Sequence, residues 1–387
     1  SYTLVQVTTE MRIGFDGKRA VQNFTGLGNY SRYVADILCH FYPENDYVLY
    51  APKKRENKRM NLLTGQYRQL TLAYPATSFW KKLSSLWRVW GITSQLEKEG
   101  IELFHGLSNE LPLNIHKSRI KSIVTIHDLI FLRYPQYYQS IDRKIYTYKF
   151  RKACENADKI IAISECTKRD IIRYFNIPDD KIEVVYQGCD VSFTHPVTEE
   201  KKEEVRKKYQ LPDHYILNVG SIEERKNILA AVQALPMLPQ HIHIVIVGRR
   251  TGYTEKVEQF IKDNGLGERV HIISNVPFND LPAFYQSAEI FVYPSRFEGF
   301  GIPIIEALYS GIPVVAATGS CLEEAGGPDS IYVNPDDITG LADAFKQIYS
   351  NSDKRKNMVE KGREFAKRFS EKQQSEEIIN IYKKLIR

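Results

Sequence analysis

The chain has 387 residues, 43% of them hydrophobic and 26% charged, with 53 Lys and Arg against 47 Asp and Glu. Such a composition belongs to a globular protein long enough for two or three cores, and it excludes the disordered and fibrous classes. A net charge of +6 over this length is too mild to indicate nucleic-acid binding.

No apolar run approaches the roughly 18 residues of a membrane span, and the N-terminus lacks a charged-then-apolar secretory pattern, so the chain is expected to be cytoplasmic. The five cysteines (Cys39, Cys154, Cys166, Cys189 and Cys321) are scattered and form no CxxC pair, which favours reduced thiols over disulfides or a zinc site. The segment SYTLVQVTTE, just before Met11, reads as a vector-derived remnant and is left out of the fold argument.

From Met11 onward, short β-rich runs alternate with longer stretches of helical period, the pattern of parallel βα units. RIGFD is the first strand. Ten residues after Asp16, Gly26 and Gly28 form a turn that opens the amphipathic helix GNYSRYVADILCHF. A GxG turn before a helix is able to cradle phosphate. A dinucleotide fold, however, puts those glycines directly after the first strand and an acid at the end of the second, whereas here the second strand, YVLYA, runs into Pro52. NAD binding is therefore rejected.

All three tryptophans lie in SFWKKLSSLWRVWG. Trp80, Leu83, Trp87 and Trp90 share one helical stripe beside Lys81, Lys82 and Arg88, a pattern that either lies at a membrane surface or packs into the first domain. Further on, the strand KSIVTIH ends at His127-Asp128, at the carboxyl end where ligands sit in open α/β sheets. His127 reads as a substrate contact or as a satisfied structural residue; with no second histidine at metal-ligand spacing, a metal is not expected. The helix RKIYTYKFRKACENA and the strand KIIAIS complete this half.

After about residue 190, the charged stretch DVSFTHPVTEEKKEEVRKKYQLPDH reads as a linker with one surface helix. A second series then begins with YILNVGS, HIHIVIVG, RVHIIS, EIFVYPS, IPVVAAT and SIYVN. Strands this apolar, without strict alternation, are expected to be covered on both faces. The predicted architecture is α/β, with two Rossmann-like doubly wound domains, 11–190 and 212–370, facing a central cleft. In the tail 371–387, Ile378, Ile381, Tyr382 and Leu385 recur at helical spacing and predict a final helix, packing as core or across the domains.

Two stretches of the second half carry candidate chemistry. In NVGSIEERKNI a strand ends at Gly220 and a helix begins near Asn227, so Arg225 and Lys226 stand at the positive end of the helix dipole. That placement is unfavourable unless an anion such as a diphosphate is near; solvated loop cations are the plainer reading. In SRFEGFGIPIIEALYSGIPVVAA, Glu298 and Glu306 flank the turn Gly299-Phe300-Gly301, with Pro303 opening a helix that closes near Gly311. Backbone N–H groups around Gly301 are expected to present donors to oxygen atoms. Ionised carboxylates only accept hydrogen bonds, so the two acids suit the hydroxyls of one elongated ligand; the alternative is a solvated Glu298 and a Glu306 paired to a surface lysine.

In order and spacing, TGLGNY, TIHDL, VGSIEERKN and the Glu-x7-Glu block EGFGIPIIE resemble the retaining glycosyltransferases of family 4, which have the two-domain GT-B fold. The likeness extends over nearly the whole chain from Met11. It implies that Glu306 accepts from both ribose hydroxyls of a nucleotide sugar, and that Glu298 and the amides of the Gly299-Phe300-Gly301 turn grip the donor sugar. By the same likeness Lys226, with Arg225 beside it, clamps the diphosphate, Gly28 lies beneath the phosphates from the opposite domain, and His127 reaches the transferred sugar. Gly26 and Asp128 fall on the acceptor side. Many relatives carry arginine where this chain has Ser221, so a two-cation clamp depends on Arg225.

The nucleotide sugar is then a co-substrate, and the resemblance implies neither a cofactor nor a metal. It further implies front-side attack by the acceptor hydroxyl with retention at the anomeric carbon. The blocks IHDL and ERKN resemble mannosyltransferase-like members, which puts GDP-mannose first and UDP-sugars next as donor. The acceptor would be a glycan or a lipid-linked glycan in polysaccharide or lipopolysaccharide synthesis. A GT-B-like sugar-nucleotide epimerase and a non-catalytic sugar-nucleotide binding protein are the alternatives.

Overall fold

Strand residues that are apolar at consecutive positions must be covered on both faces, and here they are: Ile160 and Ile161 are both fully buried, as are Ile244, Val245 and Ile246. A computed structural model describes residues 10–387; all but the last residue of the leading segment SYTLVQVTTE lies outside the described residues. The chain divides into two units, one running to Gln187 and resuming with Glu371–Arg387, the other comprising Gly188–Ser370.

The first unit holds β1 (Arg12–Asp16), β2 (Asp46–Tyr50), β3 (Leu70–Ala73), β4 (Leu103–Gly106), β5 (Lys121–Ile126), β6 (Lys159–Ala162) and β7 (Ile182–Val184). They form one parallel sheet in the order β3-β2-β1-β4-β5-β6-β7. The second unit holds β8 (Tyr215–Val219), β9 (His243–Val247), β10 (Val270–Ile273), β11 (Ile290–Tyr293), β12 (Val314–Ala317) and β13 (Ile331–Val333), ordered β10-β9-β8-β11-β12-β13 and again parallel. Both are doubly wound Rossmann-like sheets. Their order reverses between β1 and β4 in the first and between β8 and β11 in the second, and loops that leave such a reversal point open a crevice at the carboxyl edge.

Three strands escape the sequence reading: β3, β4 and β7, of four, four and three residues, do not stand in a longer apolar run. The tryptophan stripe is corrected. The segment breaks into Ser78–Lys82, Ser84–Leu86 and a π-helical turn, Trp87–Gly91, so its residues do not share one face. Trp87 is fully buried and donates from Nε1 to Gln95 Oε1 at 3.0 Å, while Trp90 stays 47% exposed. A buried Trp87 makes no membrane contact. Among the described residues no helix is long and apolar enough to cross a membrane.

The stretch after residue 190 is not a linker but part of the second unit. Its helix Glu199–Tyr209 docks on Asp280, which is 4% exposed and accepts from Lys201 Nζ at 2.7 Å, Lys208 Nζ at 2.9 Å and Tyr209 OH at 2.6 Å. The terminal helix Glu371–Ile386 belongs wholly to the first unit, with Ile378, Ile381 and Tyr382 buried there.

Burial alone would raise the Asp280 carboxyl, but the hydrogen bonds from Lys201, Tyr209 and Lys208 outweigh it and hold the group well below the usual carboxylate range. Its contribution is therefore in place above about pH 4 and is lost only at lower pH. Asp280→Ala should lower stability at pH 7 by about 1–3 kcal/mol in thermal melts, with the deficit narrowing in strong acid.

Candidate active site

Because β8 and β11 are neighbours at the reversal point, the loops that follow them meet although about seventy residues separate them in sequence. The loop after β8 carries Arg225 and Lys226; the loop after β11 carries Glu298. Asn227, with φ of 59°, joins the two loops, donating from Nδ2 to Pro294 O at 3.1 Å and to Pro335 O at 2.9 Å. Just beyond it begins the short helix Ile228–Ala234.

The anion demanded by the two cations is Glu298. Lys226 Nζ lies 2.6 Å and Arg225 NH1 3.3 Å from its Oε1, which also accepts from Ser295 Oγ at 2.9 Å and Tyr293 OH at 3.1 Å. Burial opposes charge on Glu298, yet Lys226 and Arg225 outweigh it and keep the carboxyl below its ordinary value; the same carboxylate keeps Lys226 protonated. All four contacts fall on Oε1. Among the described residues Oε2 accepts none, and it remains as an acceptor on an otherwise fixed carboxylate. Ser221 instead donates to Glu223 Oε2 at 2.8 Å, so the second cation of the cluster is Arg225.

Beyond Glu298 the chain turns through Gly299-Phe300-Gly301. Gly301 has φ of 117°, a conformation L side chains rarely adopt, and it opens the helix Ile302–Ser310 with no side-chain cap. The Phe300 ring is buried edge-on against Phe369, with centroids 5.4 Å apart, and its carbonyl accepts from Cys321 Sγ at 3.2 Å. Glu306, on the second turn of the helix, is partly buried and accepts from Tyr285 OH at 2.5 Å. Among the described residues no cation pairs with it, and burial pushes its pKa up to about 7. The two acids of the Glu-x7-Glu block therefore stand in opposite electrostatic settings.

In the first unit His127 follows β5. Its Nε2 lies 2.8 Å from the Leu107 carbonyl, which only accepts, so Nε2 carries the proton and Nδ1 is the acceptor. Burial lowers its pKa to about 4 and keeps the ring neutral at physiological pH. Asp128 accepts from Ile130 N at 3.1 Å. Gly26 is exposed, whereas Gly28 is buried beneath the preceding turn: a Cβ there would fall 2.0 Å from Asn23 O, and Asn23 Oδ1 accepts from its N–H at 3.1 Å. The tight turn itself requires the glycine at 28.

A further cluster at this edge escaped the sequence reading. Asp16 ends β1 and Glu110 follows β4, at the reversal point of the first sheet, and Arg88 bridges them at 2.5 Å and 2.6 Å. Lys149 Nζ lies 3.2 Å from Glu110. Burial would raise the Glu110 carboxyl, but Arg88 and Lys149 hold it down to about 2. The cluster lines a cavity of about 690 Å³ together with Lys144 and the side chains of Leu86, Trp90, Ile141, Ile145 and Tyr148. An acid closing β1 was a legible signal; Arg88, delivered by a π-turn, was not. Among the described residues no three His, Cys, Asp or Glu side chains gather as metal ligands would.

Comparison with known proteins places this geometry. Residues 31–193 match the family described as Glycosyltransferase Family 4, and residues 199–365 the one described as Glycosyl transferases group 1. The chain is 31% identical over 289 residues to O-antigen chain mannosyltransferase B of Escherichia coli, a match covering 73% of this chain and 74% of that one. To O-antigen chain mannosyltransferase RfbU of Salmonella typhimurium it is 29% identical over 225 residues, covering 58% and 60%. Among solved structures, a glycosyltransferase from Rickettsia africae superposes with a TM-score of 0.79 at 20% identity, covering 98% and 99%. HepE of Anabaena, solved in complex with UDP and glucose, gives 0.76 at 17%, covering 97% and 100%. At these identities the structural likeness speaks to the fold alone.

Glu306 yields a stability test. A folded pKa of about 7 against an ordinary 4.5 means that its stabilising protonated form is complete below pH 4.5 and is lost as pH rises through 7. Glu306→Gln should therefore gain on wild type between pH 5 and pH 8, by about 1–3 kcal/mol. A melting-temperature difference that stays constant over that range would remove the electrostatic account of this carboxyl.

Proposed function

The chain belongs to glycosyltransferase family 4, and from that membership we propose that it moves a mannosyl residue from GDP-mannose to a glycan or lipid-linked glycan, with retention and without a metal ion. The observation that carries the reading is the Lys226–Arg225–Glu298 cluster, with one carboxylate oxygen held and the other open, beside the uncapped turn at Gly301. Relatives named as O-antigen mannosyltransferases support mannose as the transferred sugar and a polysaccharide as the product.

In this reading each group has one task. Breaking a sugar–phosphate bond builds positive charge on the sugar and negative charge on the departing diphosphate. Lys226 and Arg225, already fixed, stabilise the latter without reorganising as the charge grows. Glu298, anchored through Oε1, offers Oε2 to a sugar hydroxyl, and the amides of Phe300 and Gly301 add donors. Glu306, when ionised, accepts from the ribose hydroxyls. The neutral His127 offers Nδ1 to a hydroxyl of the transferred sugar. Front-side attack by the acceptor hydroxyl, its proton passing to the leaving phosphate, retains the anomeric configuration.

On the acceptor side, Asp16, Arg88, Glu110, Lys144 and Lys149 bring hydrogen-bonding groups to a cavity that Leu86, Trp90, Ile141 and Ile145 line with apolar surface. Such a lining suits a saccharide carried on an apolar tail. An epimerase would need a group at the sugar itself that gives and takes a proton near neutrality; Glu306, whose pKa is about 7, is assigned to the ribose instead. His127 is unsuited to that, with its N–H committed to Leu107 and its pKa lowered to about 4.

A thermal-shift screen across GDP- and UDP-sugars should single out GDP-mannose. With the donor so identified, Lys226→Ala is expected to lower kcat by about 10²–10³, since the charge it meets grows in the transition state. Glu306→Ala should act mainly on binding, weakening the donor about tenfold with kcat little changed. Because Glu306 ionises near pH 7, wild-type donor affinity should tighten from pH 6 to pH 8 while that of Glu306→Gln stays flat. Wild-type kinetics in both alanine variants would end the site assignment.

A further inference from the structure

The first unit contains a buried hydrogen-bonded chain that leads from the terminal helix toward His127. Tyr382 OH lies 2.5 Å from His105 Nδ1, His105 Nε2 lies 2.7 Å from Thr125 Oγ1, and Thr125 Oγ1 lies 3.1 Å from Tyr30 OH. Tyr382, His105 and Thr125 are fully buried and Tyr30 is 2% exposed. The Tyr30 ring then meets His127 edge-on, with centroids 4.5 Å apart and planes at 90°.

We propose that Tyr382 is a positioning residue for His127, acting through His105, Thr125 and Tyr30. The inference rests on the reading of His127 as a contact to the transferred sugar. Thr125 and His127 lie two apart at the end of β5, where side chains of period two share a face, so the Tyr30 ring spans from one to the other. The imidazole is held between that ring and the Leu107 carbonyl. It cannot swing without moving Tyr30, and Tyr30 is held by its hydroxyl.

The chain is directional. Burial keeps His105 neutral, with its pKa lowered to about 3, so one ring nitrogen donates and the other accepts. Tyr382 and Thr125 must therefore play opposite roles toward it. Removing the Tyr382 hydroxyl releases the choice of tautomer, and with it the orientation of the Thr125 hydroxyl on which Tyr30 depends. Such buried networks are coupled by design, because each unpaired member is costly. The terminal helix is thus tied to the sugar-facing histidine, although 255 residues separate Tyr382 from His127 in sequence.

The test uses the full-length protein and two probes, GDP and GDP-mannose, with titration calorimetry for each. The readout is the ratio of their dissociation constants, which isolates the sugar's share of binding. Tyr382→Phe and, independently, Thr125→Val should each lower this ratio about three- to tenfold while GDP affinity is unchanged. In a His127→Ala background neither should lower it further. A merely structural role would lower the melting temperature and leave the ratio at its wild-type value, and that result overturns the proposal. So would an effect that adds in full to that of His127→Ala. If His127→Ala itself left the ratio untouched, the sugar-contact reading would fall and the proposal with it, an outcome separable from the first two.

Discussion

Two cations beside the positive end of a helix need a fixed anion, and Glu298 is the one this chain supplies. Taking a carboxylate out of water costs several kcal/mol, recovered only where the remaining lone pairs are matched by good partners. The surroundings of Glu298 follow from that requirement. Ser295 and Tyr293 add neutral donors to the charged ones, and all four converge on a single oxygen. The arrangement holds Lys226 and Arg225 in place before any ligand arrives. Cations fixed in advance are more useful to a departing diphosphate than cations that must be gathered from solvent.

Glu306 shows what the same stretch does without that device. Eight residues beyond Glu298, it has Tyr285 as its hydrogen-bond donor and, among the described residues, no cation, so burial raises its pKa to about 7. Paired carboxylates whose environments push their pKa values apart often divide the roles of acid and base. Here the geometry argues for another use: Glu298 is tied into a cationic cluster, and Glu306 faces the hydroxyl of a tyrosine. Each is an acceptor, one permanently ionised and the other ionised near neutrality. Holding Glu306 as a carboxylate lowers stability at pH 8, a cost typical of groups kept for binding rather than folding.

What was legible in the sequence was what depends on local chemistry. Apolar runs such as HIHIVIVG and EIFVYPS announced buried parallel strands, and the Glu-x7-Glu block and ERKN singled out Glu298, Arg225 and Lys226 one by one, while their pairing with each other, across about seventy residues, was not legible. Length did not decide which strands were legible, since β11 and β13 are as short; β3, β4 and β7 were illegible because their few residues do not stand in a longer apolar run, and β4, LFHG, bears the buried His105 all the same. The charge-rich helix Glu199–Tyr209 looked like a solvated linker because its anchor, Asp280, lies about seventy residues away. Gly28 was read as a phosphate cradle, and the structure supplies a nearer reason for it in the Asn23 carbonyl beneath.

The tryptophan segment carries this argument furthest. A stripe of Trp80, Leu83, Trp87 and Trp90 exists only if the helix keeps 3.6 residues per turn, and the π-helical turn Trp87–Gly91 breaks that period. The widened turn sends Trp87 into the core and places Arg88 between Asp16 and Glu110 at the carboxyl edge of the sheet. An α-helix sets consecutive side chains about 100° apart; a π-turn holds more residues per turn and narrows that step, so residues in and beyond it leave the face that α-helical spacing would give them. π-turns of this kind recur at functional sites because they re-aim side chains at a cost in helix regularity. The irregularity that defeats the periodic reading of the segment is therefore what brings Arg88 to the acids that line the first unit's cavity.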